Sequence, residues 1–85
     1  MAIDLLYFAW VRESIGTGAE TAAPPPDVAT VADLIAWLTT RSPGHAAAFA
    51  DPARLRAALD QAFVPLDTPI AGAREVAIFP PVTGG

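Results

Sequence analysis

The sequence predicts an α+β domain, a mixed β-sheet of about five strands with one main helix across one face. Two apolar segments near the chain ends, Leu5 to Val11 and Glu75 to Phe79, read as strands covered on both faces. Between them, Val31, Leu34, Ile35 and Leu38 recur at the spacing of one helix face. At 85 residues and 53% hydrophobic content, the chain has room for one core and is too apolar to stay disordered.

Residues 3–11 read as the first strand, with Ile3, Leu5 and Tyr7 on one face and Leu6, Phe8 and Trp10 on the other. Asp4 marks its wet end, and Gly16 and Gly18 punctuate a turn. Ala19 to Ala23 follows as a second strand, ended by Pro24, Pro25 and Pro26, which lack backbone donors. Thr30 opens the helix as its cap, with Asp33 at the capping-box position. Trp37 flanks the apolar stripe, Arg41 suits the C-terminal dipole, and Ser42-Pro43-Gly44 stops the helix. The alanine-rich stretch from His45 to Ala50 can form a short second helix. Leu55 to Leu59 and Ala62 to Leu66 flank Asp60-Gln61 as a hairpin, although Asp-Gln is a weak turn pair. Asp67-Thr68-Pro69 and Gly72 make turns before the last strand, Glu75 to Phe79, and Pro80-Pro81 forbids further pairing.

The order is strand, strand, helix, hairpin, strand, with both terminal strands central. That is a β-grasp, the ubiquitin-like architecture, over residues 1–79, followed by an extended flexible tail over residues 80–85. The helix covers Ile3, Leu5, Tyr7, Val76 and Ile78, and the opposite face shows Leu6, Phe8, Phe63, Ala77 and Phe79.

Composition excludes much chemistry. Without cysteine there are no disulfides, Cys-ligated metals or thiol reactions on this chain. A net charge of −4 argues against nucleic acid, which demands a positive footprint. All five basic residues are arginine, so there is no side-chain amine for a Schiff base or isopeptide bond. One histidine, His45, is too few for a metal cluster and reads as structural or solvated in a surface stretch. No Ser-His-Asp set presents itself, Asp51 and Asp60 read as solvated charges, and Gly16-Thr17-Gly18 reads as a turn. The apolar run from Leu5 to Val11 is too short to span a bilayer, and Arg12 follows it, the reverse of a signal peptide. A cytoplasmic protein with no membrane partner and no metal is expected.

The informative feature is the Gly-Gly end. A terminal pair arises by chance in about 0.5% of chains, which alone is weak. Here it follows a β-grasp pattern and a Pro-Pro break that stiffens an extended stem. Glycines thread narrow channels because they have no Cβ. The terminal carboxylate is unreactive at neutral pH until another enzyme activates it.

Phe79-Pro80-Pro81-Val82-Thr83-Gly84-Gly85 resembles the ending of the molybdopterin synthase small subunits, a family of ubiquitin-like sulfur carriers. Leu6-Tyr7-Phe8-Ala9, Val11-Arg12-Glu13 and Gly16 resemble that family's first strand and turn. Ala58-Leu59-Asp60-Gln61, Thr68-Pro69-Ile70, Gly72 and Glu75-Val76-Ala77 also fit. The resemblance spans nearly the whole chain, most specifically at its two ends. Asp60 stands where the family has Asn, and Ala71-Gly72-Ala73-Arg74 departs from its more acidic turn.

The resemblance implies a carrier cycle. An ATP-dependent activating enzyme adenylates Gly85, sulfur replaces AMP, and the thiocarboxylate donates sulfur to cyclic pyranopterin monophosphate, building the molybdopterin dithiolene. It implies no cofactor bound to this chain, and ATP used only by the activating enzyme. Gly84 threads the partner's channel. Phe8, Phe63, Phe79, Pro80, Pro81, Val82 and Thr83 bind the partners, the aromatic positions contacting both the large subunit and the activating enzyme, in a synthase heterotetramer of two small and two large subunits. With no cysteine to hold a persulfide, the C-terminus is the plausible sulfur site. Alternatives are a carrier for thiazole or cysteine synthesis, a modifier attached to other proteins, or an interaction module with an unmodified tail.

Overall fold

The computed structural model describes residues 2–81. β1 (Ile3–Tyr7) and β5 (Glu75–Phe79) run parallel as neighbours. β2 (Ala19–Ala22) pairs antiparallel on the outer side of β1. β3 (Arg56–Leu59) pairs antiparallel with β5 and carries β4 (Ala62–Val64) at the other edge, so the sheet order is β2-β1-β5-β3-β4. The expected mixed five-stranded β-grasp is the observed fold, with the two most apolar strands inside it. The core lies between one sheet face and the helices. Leu5, Tyr7, Val76 and Ile78 meet Val31, Leu34, Ile35 and Leu38 there, all essentially without solvent contact.

The first strand is shorter than its apolar run. It ends at Tyr7, and Ala9, at φ 54, turns the chain into helix α1 (Ala9–Ile15). Trp10 therefore leaves the sheet, and Val11 is buried from α1 instead. A run this short carries no period that separates strand from helix. The usable signal is Gly16, which sits at φ 96 as the C-cap while its N–H donates to the Arg12 carbonyl.

Helix α2 (Val31–Leu38) has the expected capping box between Thr30 and Asp33. Backbone N–H groups of Ala29 and Thr30 hold the Asp33 carboxyl below its ordinary value. The N–H groups of Val31 and Ala32 donate to the carbonyls of Thr68 and Leu66, so the returning loop completes the helix start. The helix stops at Leu38, short of Arg41. Thr40 and Arg41 N–H groups already reach back only three residues, and the Thr39 and Thr40 hydroxyls donate to the carbonyls of Ala36 and Trp37.

Ser42-Pro43-Gly44 ends one helix and also begins the next, α3 (Pro43–Ala48). Ser42 caps it by accepting the His45 N–H. Gly44 lets α3 press on the end of α1: a Cβ there would lie 2.5 Å from the Ser14 carbonyl oxygen and 3.2 Å from the Ile15 Cα. Both obstacles are backbone, so the helices must separate. Gly44→Ala is therefore expected to destabilise the fold by about 1–2 kcal/mol. Overpacking costs up to about 3 kcal/mol and better helix propensity returns up to about 1. A lower urea midpoint at unchanged slope is the measurement, and an unchanged midpoint would refute the close approach.

The β3–β4 hairpin turns on Asp60 (φ 48) and Gln61 (φ 75), both left-handed. Asp60 offsets that strain by accepting the N–H groups of Arg74 and Glu75 at 3.0 Å each, which ties the hairpin to the start of β5. Among the described residues, no helix is long and apolar enough to cross a membrane.

Candidate functional site

On the sheet face away from α2, strand alternation brings four residues into one lateral row. Leu6 of β1 lies opposite Ala77 of β5, Ala77 opposite Ala58 of β3, and Ala58 opposite Phe63 of β4. Two alanines form the floor because their side chains end at Cβ. Phe8 and Phe63 rise at the sides, 49% and 78% exposed. The result is an open hollow of about 590 Å³ lined by Leu6, Phe8, Ala58, Phe63, Ala77 and Phe79, with Pro80 and Pro81 at its end. The left-handed Ala9 turns the chain into α1 immediately after Phe8, and the Phe8 ring stays half exposed.

Phe63 and Phe79 pack with ring centroids 5.4 Å apart and planes inclined at 43°. Their rings form a ridge between the main hollow and a second one of about 370 Å³, lined by Arg56, Ala57, Phe63, Val64, Pro65 and Phe79. Of the expected site residues, the structure thus gathers Phe8, Phe63, Phe79, Pro80 and Pro81 on one face. Val82, Thr83, Gly84 and Gly85 lie outside the described residues. Exposed apolar surface of this kind is the usual mark of a contact surface, and the patch is the candidate for one.

A second cluster lies on the core side, and there the reading of His45 is corrected: it is buried, 6% exposed, not on the surface. Its Nε2 lies 2.6 Å from Glu20 Oε2, and its Nδ1 lies 2.7 Å from Ser42 Oγ. Tyr7 donates its hydroxyl to the same Glu20 oxygen at 2.7 Å, and Arg41 stands 3.7 Å from the other. Burial alone raises the Glu20 carboxyl, but hydrogen bonds from His45 and Tyr7 and the charge of Arg41 outweigh it, leaving the group below its ordinary value. Burial first, then the Glu20 carboxylate, pushes the Tyr7 phenol well above its ordinary range.

Ser42, His45 and Glu20 stand in series like a nucleophile relay. Yet Ser42 is occupied as the α3 cap, and it borders neither hollow of the aromatic face. The cluster joins β1, β2 and the α2–α3 junction, which is a structural role. Asp51 and Asp60, read as solvated charges, are exposed but accept backbone N–H groups, Asp51 from Ala53 and Asp60 from Arg74 and Glu75.

The sequence matches the ThiS family over residues 5–85. The molybdopterin synthase sulfur carrier subunit of Escherichia coli (strain K12) is 43% identical over 83 residues, 98% of this chain and 99% of that protein. The subunit of that name from Haemophilus influenzae is 34% identical over the same shares. Among solved structures, a putative molybdopterin converting factor subunit 1 from Pyrococcus furiosus superposes with a TM-score of 0.73 at 26% identity, covering 96% of this chain and 99% of that one. SAMP1 from Haloferax volcanii shares the fold, with a TM-score of 0.71 at 23% identity over 100% of both chains. A β-grasp sheet whose central last strand leads through Pro-Pro to Gly-Gly, matched along nearly its whole length, places this chain in the ThiS family.

Proposed function

We propose that this protein is the sulfur carrier subunit of a molybdopterin synthase. The observation that carries the reading is 43% identity across 98% of the chain to a subunit of that name, with the family match running through Gly85. In this reading residues 1–79 form the carrier body and residues 80–85 the working tail. An activating enzyme joins the Gly85 carboxylate to AMP and releases pyrophosphate from ATP. The terminal sulfur of a partner's persulfide then displaces AMP to form an acyl disulfide. A second thiol of the partner cleaves its S–S bond, leaving the thiocarboxylate on this chain and a disulfide on the partner. The large synthase subunit docks on the Phe8, Phe63 and Phe79 face, and the tail enters its active site. Gly84 passes where a Cβ would clash, and the sulfur goes to cyclic pyranopterin monophosphate.

The body supports this division of labour. β5 is held on both sides by β1 and β3, so Phe79 is a fixed point from which the tail departs. Pro80 and Pro81 restrict the backbone directly after it. Intact mass after incubation with an activating enzyme, ATP and a sulfur donor tests the reading. The expected gain is one sulfur in place of one oxygen, mapping to the last residue. Sulfur elsewhere on the chain, or none, would overturn it.

A further inference from the structure

We propose that the partner docking on the aromatic face presents a carboxylate to Arg56, and that this ion pair sets the partner's orientation at the foot of the tail. The inference rests on the reading of that face as the large-subunit interface and adds the chemistry the partner must bring.

Arg56 begins β3, and its Cα lies opposite that of Phe79, the last residue of β5. It is therefore the cation placed where the chain leaves the sheet. Alternation along β3 puts Ala57 into the core and both Arg56 and Ala58 toward the aromatic face. Arg56 closes the second hollow beside the Phe63–Phe79 ridge.

Its guanidinium is already oriented. One terminal nitrogen donates to the Leu55 carbonyl at 2.8 Å and to the Ala53 carbonyl at 3.2 Å. A side chain fixed this way loses less freedom when it takes a partner. The remaining donors of the planar fork suit a carboxylate, bidentately. Among the described residues the ion pairs are those of Glu20 with Arg41 and His45, and none of them involves Arg56. Arg41 also lies over Trp37, and Arg54 over Trp10, so those two cations have aromatic partners on the body.

The face is also polarised along its length. Glu75 and Gln61 line the main hollow at the hairpin end, with Asp60 beside them, while Arg56 marks the tail end. Apolar anchors alone fit a hollow in more than one orientation. Opposite charges at the two ends select one, and fixing register is what charged groups at an interface do best. The selected orientation directs the tail toward the partner's active site.

Calorimetric titration of the chain with its cognate large subunit, purified alone and run over a range of salt concentrations, is the test. Arg56→Gln should weaken binding about tenfold and Arg56→Glu about a hundredfold. Arg56→Lys should recover part of the loss, keeping the charge without the fork. Wild-type affinity should fall with salt, and Arg56→Gln should flatten that dependence. Phe63→Ala and Phe79→Ala serve as controls that weaken binding at every salt concentration. If they do so while Arg56→Glu binds like wild type with the same salt slope, the carboxylate proposal is wrong and the interface stands. If the phenylalanine variants also bind normally, the interface reading itself falls.

Discussion

Deletion of Gly85 is expected to abolish sulfur loading while leaving the body folded. The reacting carboxyl would move back by one residue, about 3.3–3.6 Å along an extended chain. A misplacement near 1 Å can already cost about a hundredfold in rate, so a shift several times larger leaves no productive geometry in the activating enzyme. The sheet ends at Phe79, and every backbone pairing of β5 lies upstream of the deletion. Stability should therefore match wild type. Two measurements separate the effects: intact mass for the thiocarboxylate, and a denaturant midpoint for the fold. Gly84→Ala should also slow transfer without moving the midpoint. A truncated chain that loads sulfur at the wild-type rate would sink the carrier mechanism.

Glu20→Ala should be among the most damaging substitutions to the body, at about 2–4 kcal/mol. It strands two donors at once, the Tyr7 hydroxyl and the His45 ring, and each unsatisfied buried group costs about 1–3 kcal/mol. Glu20→Gln keeps an acceptor oxygen and should cost less. The pH dependence supplies an independent check. The folded-state pKa of Glu20 lies below its ordinary 4.5, so its contribution is complete above that value and is lost as pH falls through the folded pKa. For Tyr7 the sign reverses. Its folded pKa is raised, so its contribution holds below the ordinary 10.0 and is lost as alkaline pH ionises the phenol of the unfolded chain. Unfolding free energy measured across pH should therefore show the wild-type advantage over Glu20→Gln shrinking at the acid end. A gap that persists below the folded-state pKa would contradict the arrangement.

Most of the sheet was legible because the physics behind it is local. Glu75 to Phe79 reads as a buried central strand from five residues alone, and Thr30 with Asp33 announces the α2 start. The aromatic face followed from alternation once the strand order was known. Helix α1 was hidden because Ala9-Trp10-Val11 extends a strand pattern without a break, and only the left-handed Ala9 ends the strand. The Glu20–His45 contact had no local sign at all. Its partners stand 25 positions apart, and nothing in spacing joins a strand residue to a short alanine-rich helix. Arg56 looked like any surface arginine, since its orientation depends on carbonyls whose direction only the folded turn sets.

The central place of β5 also dictates when this molecule can become itself. β1 and β3 share no direct pairing; each touches the sheet's interior only through β5. Until that segment emerges, the earlier strands are two separate ribbons, and a two-stranded ribbon is marginal alone. Folding must then wait for contacts between the two ends of the chain, the slow, long-range kind. A growing or prematurely terminated chain lacking β5 holds no finished sheet and offers no completed aromatic face. Completing the aromatic face is thereby coupled to the arrival of β5, so the architecture itself distinguishes a chain that has this strand from one that lacks it.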